Sequence, residues 1–144
     1  MEATCAFFGH RDAPWEVYPR LCESIRRLIE EEGCRRFLVG HNGTFDRMVY
    51  RALCEARVLH PHIDVCVVMA FLPTEREGWE YGRDACLPEG LERVPRRFSI
   101  PWRNKWMIRR SRFVVTYVRG EVGGAAQARH YARRQGRTLI TLVR

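Results

Sequence analysis

Three short segments combine glycine with side chains that bind anions or move protons. The first is Gly9-His10-Arg11-Asp12, which directly follows an apolar run. The guanidinium of Arg11 is suited to a phosphate or carboxylate, which it can bind through two parallel hydrogen bonds. Gly9 lets the backbone approach a ligand, and Asp12 is either a helix cap or a catalytic acid. Spacing alone also fits an ordinary strand-to-helix turn with solvated side chains.

The second segment is VGHNGTFDR, residues 39–47. Gly40 and Gly43 leave room for a ligand beside the backbone, and a helix is predicted to begin near Thr44. The free N–H groups and positive dipole end of such a helix favour an anion. Asp46 can accept a hydrogen bond from a ribose hydroxyl or from the first segment's backbone, although helix capping explains an acid there equally well. The spacing is not the G-x-G-x-x-G dinucleotide fingerprint.

The third segment is RGEVGGAAQA, residues 119–128. Gly123 and Gly124 precede a predicted helix whose first residues are small, which suits a phosphate cradle. Tight helix–sheet packing would require the same small residues, so both explanations stay open. A P-loop is excluded because the chain has no G-x-x-x-x-G-K-[ST] motif. A nucleophile elbow is excluded because G-x-S-x-G is also missing.

Alternating strands and helices position these segments. Apolar runs predict five strands, at residues 4–9, 36–40, 63–71, 112–118 and 138–143. Helical periodicity predicts intervening helices at 15–32, 45–56, 103–111 (with Asn104 as its cap) and 123–136. Continuous apolar strands indicate a sheet covered on both faces. We therefore predict an α/β fold, a Rossmann-like three-layer sandwich around a mostly parallel five-stranded sheet. All three glycine segments would then meet beyond the carboxyl ends of the strands, where such sheets bind ligands.

The chain of 144 residues suits one domain, residues 1–144. Residues 72–101 interrupt the alternation with repeated proline and glycine, and we predict a long loop or lid there. Six cysteines without a C-x-x-C pair predict reduced, buried thiols rather than a zinc site or a disulfide framework. The histidines also lack a convincing ligand spacing, so neither a metal nor a cofactor is predicted.

Composition limits the class of protein. A hydrophobic content of 46% argues against disorder. No apolar run reaches the roughly 18–20 residues of a membrane span, and the first residues do not resemble a signal peptide. A cytoplasmic protein without a membrane partner is therefore expected. The formal net charge of +8 favours an anionic partner, either nucleic acid or a phosphorylated small molecule, but is also compatible with no specific partner.

Four segments in this order resemble the SLOG superfamily, and more narrowly its small bacterial members of the DUF1273 group: TCAFFGHRD, FLVGHNGTFDRMV, WRNKWMI and YVRGEVGGAAQA. The resemblance covers residues 4–142. It implies a Rossmann-like fold related to Lonely-guy phosphoribohydrolases and to the DNA-processing protein of natural transformation. It also implies a nucleotide or nucleotide-derived ligand. The ligand positions that it implies are Gly9, His10, Arg11, Gly40, Gly43, Asp46, Arg103, Asn104, Gly123 and Gly124, to which the loop positions Thr44 and Gln127 are added.

One departure from the family pattern bears on activity. Lonely-guy enzymes carry a catalytic glutamate after their paired glycines, whereas here Gly123-Gly124 is followed by Ala125-Ala126-Gln127. Glutamine can form hydrogen bonds but cannot act as a general base.

The leading hypothesis is therefore a sensor-type domain that binds a nucleotide-like small molecule. One alternative is an N-glycosidic hydrolase that uses Asp12, Asp46 or Glu121 as its acid. Another is a nucleic-acid-binding module, which the net charge and the arginine-rich residues 102–112 favour. A Trp/Met face on the helix at 104–111 is compatible with a homo-oligomer.

Overall fold

The computed structural model describes residues 3–144 and contains a six-stranded sheet in the order β4-β3-β2-β1-β5-β6. All neighbouring strands pair in parallel. The strands are β1 Ala3–Gly9, β2 Cys34–Val39, β3 Asp64–Val68, β4 Ala85–Cys86, β5 Phe113–Tyr117 and β6 Thr138–Thr141. The predicted α/β fold is confirmed. The predicted count of five strands is wrong, because β4 adds a two-residue edge strand too short to produce a hydrophobic pattern.

Helices cover both faces of the sheet. They are α1 Tyr18–Glu30, α2 Thr44–Leu59, α3 Glu75–Tyr81, α4 Ser99–Arg109 and α5 Gly124–Arg134. Because successive residues of a strand point to opposite faces, Phe7 joins one buried cluster, with residues of α1 and α2. Phe8 joins the other, with residues of α4 and α5. Within residues 3–144, no helix combines the length and the apolar character needed to cross a membrane.

Residues 72–101 are more ordered than the predicted loop. They contain α3, which begins with a capping box between Thr74 and Glu77, as well as β4. They also contain the single 3-10 turns Gly82–Asp84, Leu91–Arg93 and Arg96–Phe98. A lid function for this segment stays a prediction.

Helix α4 begins five residues before the predicted cap. It starts at Ser99, so Asn104 lies inside the helix and the prediction that it caps the helix is wrong. Pro101 stands in the first turn, where no intrahelical N–H bond is lost. Both Arg103 and Asn104 therefore lie within the helix rather than at its start.

Strand β1 packs tightly against helix α2 at Gly9. A Cβ atom on Gly9 would lie 2.3 Å from the ring of Phe45. That ring is fully buried and stacks on Tyr117, with 6.4 Å between ring centroids. The ring therefore has little room to move, and glycine is required at this position for packing.

We predict that Gly9→Ala lowers the free energy of unfolding by roughly 1–3 kcal/mol, because an extra methyl group overpacks the core. Urea denaturation measures the change. The matched control is Gly78→Ala in α3, where a Cβ atom would meet nothing within 4 Å. We expect this control to be neutral or stabilising by up to about 1 kcal/mol, since alanine is the better helix former. Equal effects of the two substitutions would contradict the packing argument.

Candidate functional site

A cavity of about 350 Å³ opens at the carboxyl edge of the sheet. All three predicted glycine segments reach it, and α4 closes one side. Eight of the twelve residues predicted to bind a ligand line it: Gly9, His10, Arg11, Asp46, Arg103, Asn104, Gly123 and Gly124. Four lining residues were not predicted as site residues: Phe8, Asn42, Ile100 and Ala125. Three of these, Phe8, Asn42 and Ala125, lie next to or within the predicted glycine segments, so the sequence carried a signal for them, whereas Ile100 lies outside all three segments.

Arg103 is a buried cation in the wall of the cavity, with only 4% of its surface exposed. Its Nη1 donates to the carbonyl oxygen of Val68, at 3.1 Å. Nη1 and Nη2 both donate to Asn42 Oδ1, each at 3.3 Å, and Nε donates to Asn104 Oδ1, at 3.0 Å. One side chain thereby joins the end of β3, the β2–α2 loop and α4.

Asp46 is the buried acid of the same wall, 9% exposed. Its Oδ2 accepts a hydrogen bond from the Asn42 backbone N–H, at 2.9 Å. Burial raises the pKa of Asp46 to about 6, while Arg103, the Asn42 N–H and Arg11 oppose that shift. Gly40 lies between acid and cation, because a Cβ atom there would be 2.8 Å from Arg103 Nη1 and 2.9 Å from Asp46 Oδ2.

Arg11 offers a free cation at the mouth of the cavity. Its backbone is held in place, since its carbonyl oxygen accepts from the Thr44 N–H at 2.8 Å. Gly43 packs against it with a φ of +91°, and a Cβ atom on Gly43 would lie 2.7 Å from the Arg11 Cα. Within residues 3–144, the Arg11 guanidinium makes no hydrogen bond or ion pair. It is therefore available to an anion.

The N-terminus of α5 forms the opposite side. Gly123 caps this helix and Gly124 begins it, and both line the cavity. A Cβ atom on either glycine would meet nothing within 4 Å. The packing explanation therefore does not account for these two glycines. The first N–H groups of a helix have no intrahelical partner and favour an anion.

Two histidines hold the loops together. His10 Nε2 accepts from the Arg119 N–H at 2.7 Å, which joins the first glycine segment to the third. His41 Nε2 accepts from the Ala70 N–H at 3.1 Å, while its Nδ1 is hydrogen-bonded to Glu77. Burial lowers the pKa of His41, which favours the neutral ring that this pattern requires. His10 thus both lines the cavity and joins two of the loops around it.

The remaining predicted residues lie outside the cavity lining. Gln127 lines a smaller neighbouring cavity together with Asn104 and Gly124. Asp12 is exposed. Glu121, whose side chain is 89% exposed, forms an ion pair with Arg129 at 3.4 Å. Asp46 is thus the one predicted acid among the lining residues, and a catalytic role for any of the three stays a prediction. Within residues 3–144, no three His, Cys, Asp or Glu side chains group as metal ligands.

Solved structures of DNA processing protein A share this architecture. The Streptococcus pneumoniae protein is 18% identical, with a TM-score of 0.70, and the match covers 97% of this chain and 50% of that protein. The Helicobacter pylori protein, which binds single-stranded DNA, is 15% identical, with a TM-score of 0.63, and the match covers 96% of this chain and 64% of that protein. The chain has their Rossmann-like fold. At these identities the likeness shows the fold alone, and the chain spans only half to about two thirds of these proteins.

No family model and no curated protein sequence matches the chain. The predicted relation to the DNA-processing protein is confirmed at the level of the fold. Membership of the narrower DUF1273 group stays a prediction.

The raised pKa of Asp46 predicts a pH-dependent stability. Ionising Asp46 costs up to about 3 kcal/mol more in the folded protein than in the unfolded chain. Protonated Asp46 therefore contributes favourably to the free energy of unfolding. This contribution is fully present below about pH 4 and is lost as the pH rises through about 6. The substitution Asp46→Asn retains an oxygen that accepts from the Asn42 N–H and removes the negative charge. We expect it to raise the free energy of unfolding by roughly 1–3 kcal/mol at about pH 8 and to change it little at about pH 4.

Urea denaturation at both pH values measures this difference. The control is Asp12→Asn, at an exposed carboxylate outside the cavity, for which we expect changes within about 0.5 kcal/mol at either pH. A stabilisation by Asp46→Asn that did not depend on pH would contradict the raised pKa of Asp46.

Proposed function

We propose that this domain binds a phosphate-bearing nucleotide or nucleotide-derived ligand in the cavity. The observation that carries the proposal is the pairing of two unused anion-binding groups on one cavity. These are the free guanidinium of Arg11 and the open N-terminus of α5 at Gly123 and Gly124. An arginine fork and the N–H groups at a helix N-terminus are both devices that hold phosphate in proteins.

The size and walls of the cavity support a small ligand. Its volume of about 350 Å³ lies at the lower end of the roughly 300–1,000 Å³ of small-molecule sites. Phe8 and Ile100 supply apolar surface, whereas Asn42, Asp46 and Asn104 supply hydrogen-bonding groups. A site that combines a phosphate anchor with apolar and polar walls suits a nucleotide better than it suits inorganic phosphate.

We expect Arg11→Ala to weaken nucleotide binding by about 10- to 100-fold, because a charge-assisted hydrogen bond is worth about 1.5–3 kcal/mol. Isothermal titration with AMP, ADP and GMP measures the affinity. The matched control is Arg133→Ala, an exposed arginine in the last turn of α5, which should bind like the wild type. The proposal is rejected if no nucleotide binds at millimolar concentration, or if both substitutions have the same effect.

Single-stranded DNA binding is the second candidate. The net charge of +8 favours a polyanion, and the Helicobacter pylori neighbour binds this ligand. Two exposed arginines, Arg96 and Arg97, also lie directly before α4, whose first turns line the cavity. One phosphate of a strand would then occupy the cavity, and neighbouring phosphates would contact these arginines.

We expect an oligonucleotide bound in this way to dissociate steeply with salt, since each neutralised phosphate of a single strand contributes a slope of about −0.7 in log K against log salt. Fluorescence anisotropy of a labelled oligo-dT, from about 50 to about 200 mM salt, measures the slope. The double substitution Arg96→Ala with Arg97→Ala should reduce it by about 1–2. Displacement of the oligonucleotide by AMP would indicate that the oligonucleotide also occupies the cavity. A flat salt response would reject this candidate and leave the small-molecule proposal standing.

A further inference from the structure

A second cavity lies at the opposite edge of the sheet, where β1, β5 and β6 begin. We call it the amino-edge cavity, and its volume is about 240 Å³. Strand β1 connects the two cavities, since Thr4 lines this one and Gly9 lines the other. At a rise of about 3.3 Å per residue, these two positions are roughly 16 Å apart. The cavities share no lining residue and are distinct sites.

The wall of the amino-edge cavity has four positive charges and no acid. Four of its seven lining residues are arginines, and the other three are uncharged. The arginines come from the end of α4, the residue before β5 and the residue before β6: Arg109, Arg110, Arg112 and Arg137. Within residues 3–144, none of the four forms an ion pair with a carboxylate. Like charges held close together repel one another, and an anion among them offsets that repulsion.

Most N–H donors of these four arginines are unused. A guanidinium has five N–H donors, yet the side chain of Arg112 makes no hydrogen bond within the described part of the chain, and the other three make one each. Those three bonds run from Arg109 Nε to the Tyr131 hydroxyl (3.0 Å), from Arg110 Nη1 to the Trp106 carbonyl oxygen (3.3 Å) and from Arg137 Nη2 to the Arg109 carbonyl oxygen (3.4 Å).

The C-terminus of α4 explains only part of this cluster. The last carbonyl groups of a helix carry about −0.5 of an elementary charge, which stabilises a nearby cation. That charge favours Arg109 and Arg110, and it favours Arg137, which donates to the Arg109 carbonyl oxygen. It offsets only a small part of four positive charges. It also leaves Arg112 unexplained, because this residue follows the helix and directly precedes β5.

The distribution of charge along the chain adds to the attraction for an anion. Residues 93–144, which form α4, β5, α5 and β6, contain fourteen lysines and arginines but one acid, Glu121. That acid is paired with Arg129 and precedes α5, whereas the amino-edge cavity lies beyond the other end of this helix. Residues 1–92 contain eleven lysines and arginines and sixteen acids. A surface of one sign raises the local concentration of oppositely charged ligands.

We infer that the amino-edge cavity is a second anion site, which binds a phosphoryl group between Arg112, Arg137 and the two arginines at the end of α4. Arginine forks match the oxygen atoms of a phosphate through paired hydrogen bonds. The volume of about 240 Å³ is below the roughly 300–1,000 Å³ of small-molecule sites. The cavity therefore takes a phosphate or pyrophosphate group rather than a whole nucleotide. Two sources share this chemistry, a small phosphorylated molecule and the backbone of a nucleic acid.

Titration of isotope-labelled wild-type protein with inorganic pyrophosphate, followed by NMR, tests the inference. Binding in the amino-edge cavity should shift the backbone N–H signals of Thr4 and Ser111, which line it, in a saturable way. Binding in the cavity at the carboxyl edge is observed separately, at Gly123 and Gly124. The inference is overturned if millimolar pyrophosphate produces no saturable shift at Thr4 and Ser111. That result does not depend on the folding of any variant.

Two double substitutions distinguish a specific site from general attraction to a basic protein. Arg112→Ala with Arg137→Ala removes two charges from the cavity wall, whereas Arg76→Ala with Arg83→Ala removes two exposed charges outside it. At constant ionic strength, we expect the first pair to weaken pyrophosphate binding about 10- to 100-fold, because hydrogen bonds to a charged group are lost. The second pair should bind like the wild type. Equal weakening by both pairs overturns the inference.

Addition of oligo-dT to the pyrophosphate complex identifies the source of the phosphoryl group. Reversal of the shifts at Thr4 and Ser111 supports the site and assigns it to a nucleic acid backbone. Unchanged shifts support the site and assign it to a small phosphorylated molecule.

AMP titrations separate this inference from the proposed function. The variant with Arg112→Ala and Arg137→Ala should bind AMP like the wild type, since neither residue lines the cavity at the carboxyl edge. A loss of AMP binding in this variant overturns the independence of the two sites. Wild-type protein that binds pyrophosphate at Thr4 and Ser111 but does not bind AMP supports the amino-edge site and rejects the proposed function.

Discussion

The buried guanidinium of Arg103 is the interaction on which the arrangement of the cavity depends. It contacts the last carbonyl group of β3, the side chain of Asn42 and its helix neighbour Asn104. Burying a cation is costly unless hydrogen bonds and opposite charge compensate it. Here neutral oxygen atoms accept its hydrogen bonds, and Asp46, across Gly40, supplies the charge. Any large shift of α4 or of the β2–α2 loop would leave this cation unsatisfied.

The remaining supports are hydrogen bonds to backbone groups and close backbone packing rather than interactions between charges. Glycine allows α2 to approach the first loop, where the Thr44 N–H reaches the Arg11 carbonyl oxygen. His10 joins that loop to the residue that follows β5. Two groups that make no hydrogen bond within residues 3–144, the Arg11 guanidinium and Oδ1 of Asp46, are therefore carried on a rigid frame. A ligand that meets fixed groups loses less affinity to ordering than one that must organise them.

The fold was more predictable than the roles of individual residues. Long apolar strands and amphipathic helices carry their own periodic signal, so β1, β5, α1 and α2 follow from the sequence alone. Helix α4 was predicted too short because Pro101 stands where a helix interior would exclude it, although the first turn tolerates it. The edge strand β4 has two residues, too few for any period, and pairing with β3 stabilises it.

The sequence by itself determined that three glycine segments meet at one edge, because parallel strands place all their carboxyl ends on the same side of a sheet. Only the tertiary structure decided which side chains face the cavity. Arg103 contacts a residue 61 positions away in the chain, a pairing that no local pattern specifies. Likewise, Asp46 lines the cavity whereas Asp12 and Glu121 do not. Burial and side-chain direction are set by packing between elements that are distant in sequence, so they arise only when the sheet and its helices assemble.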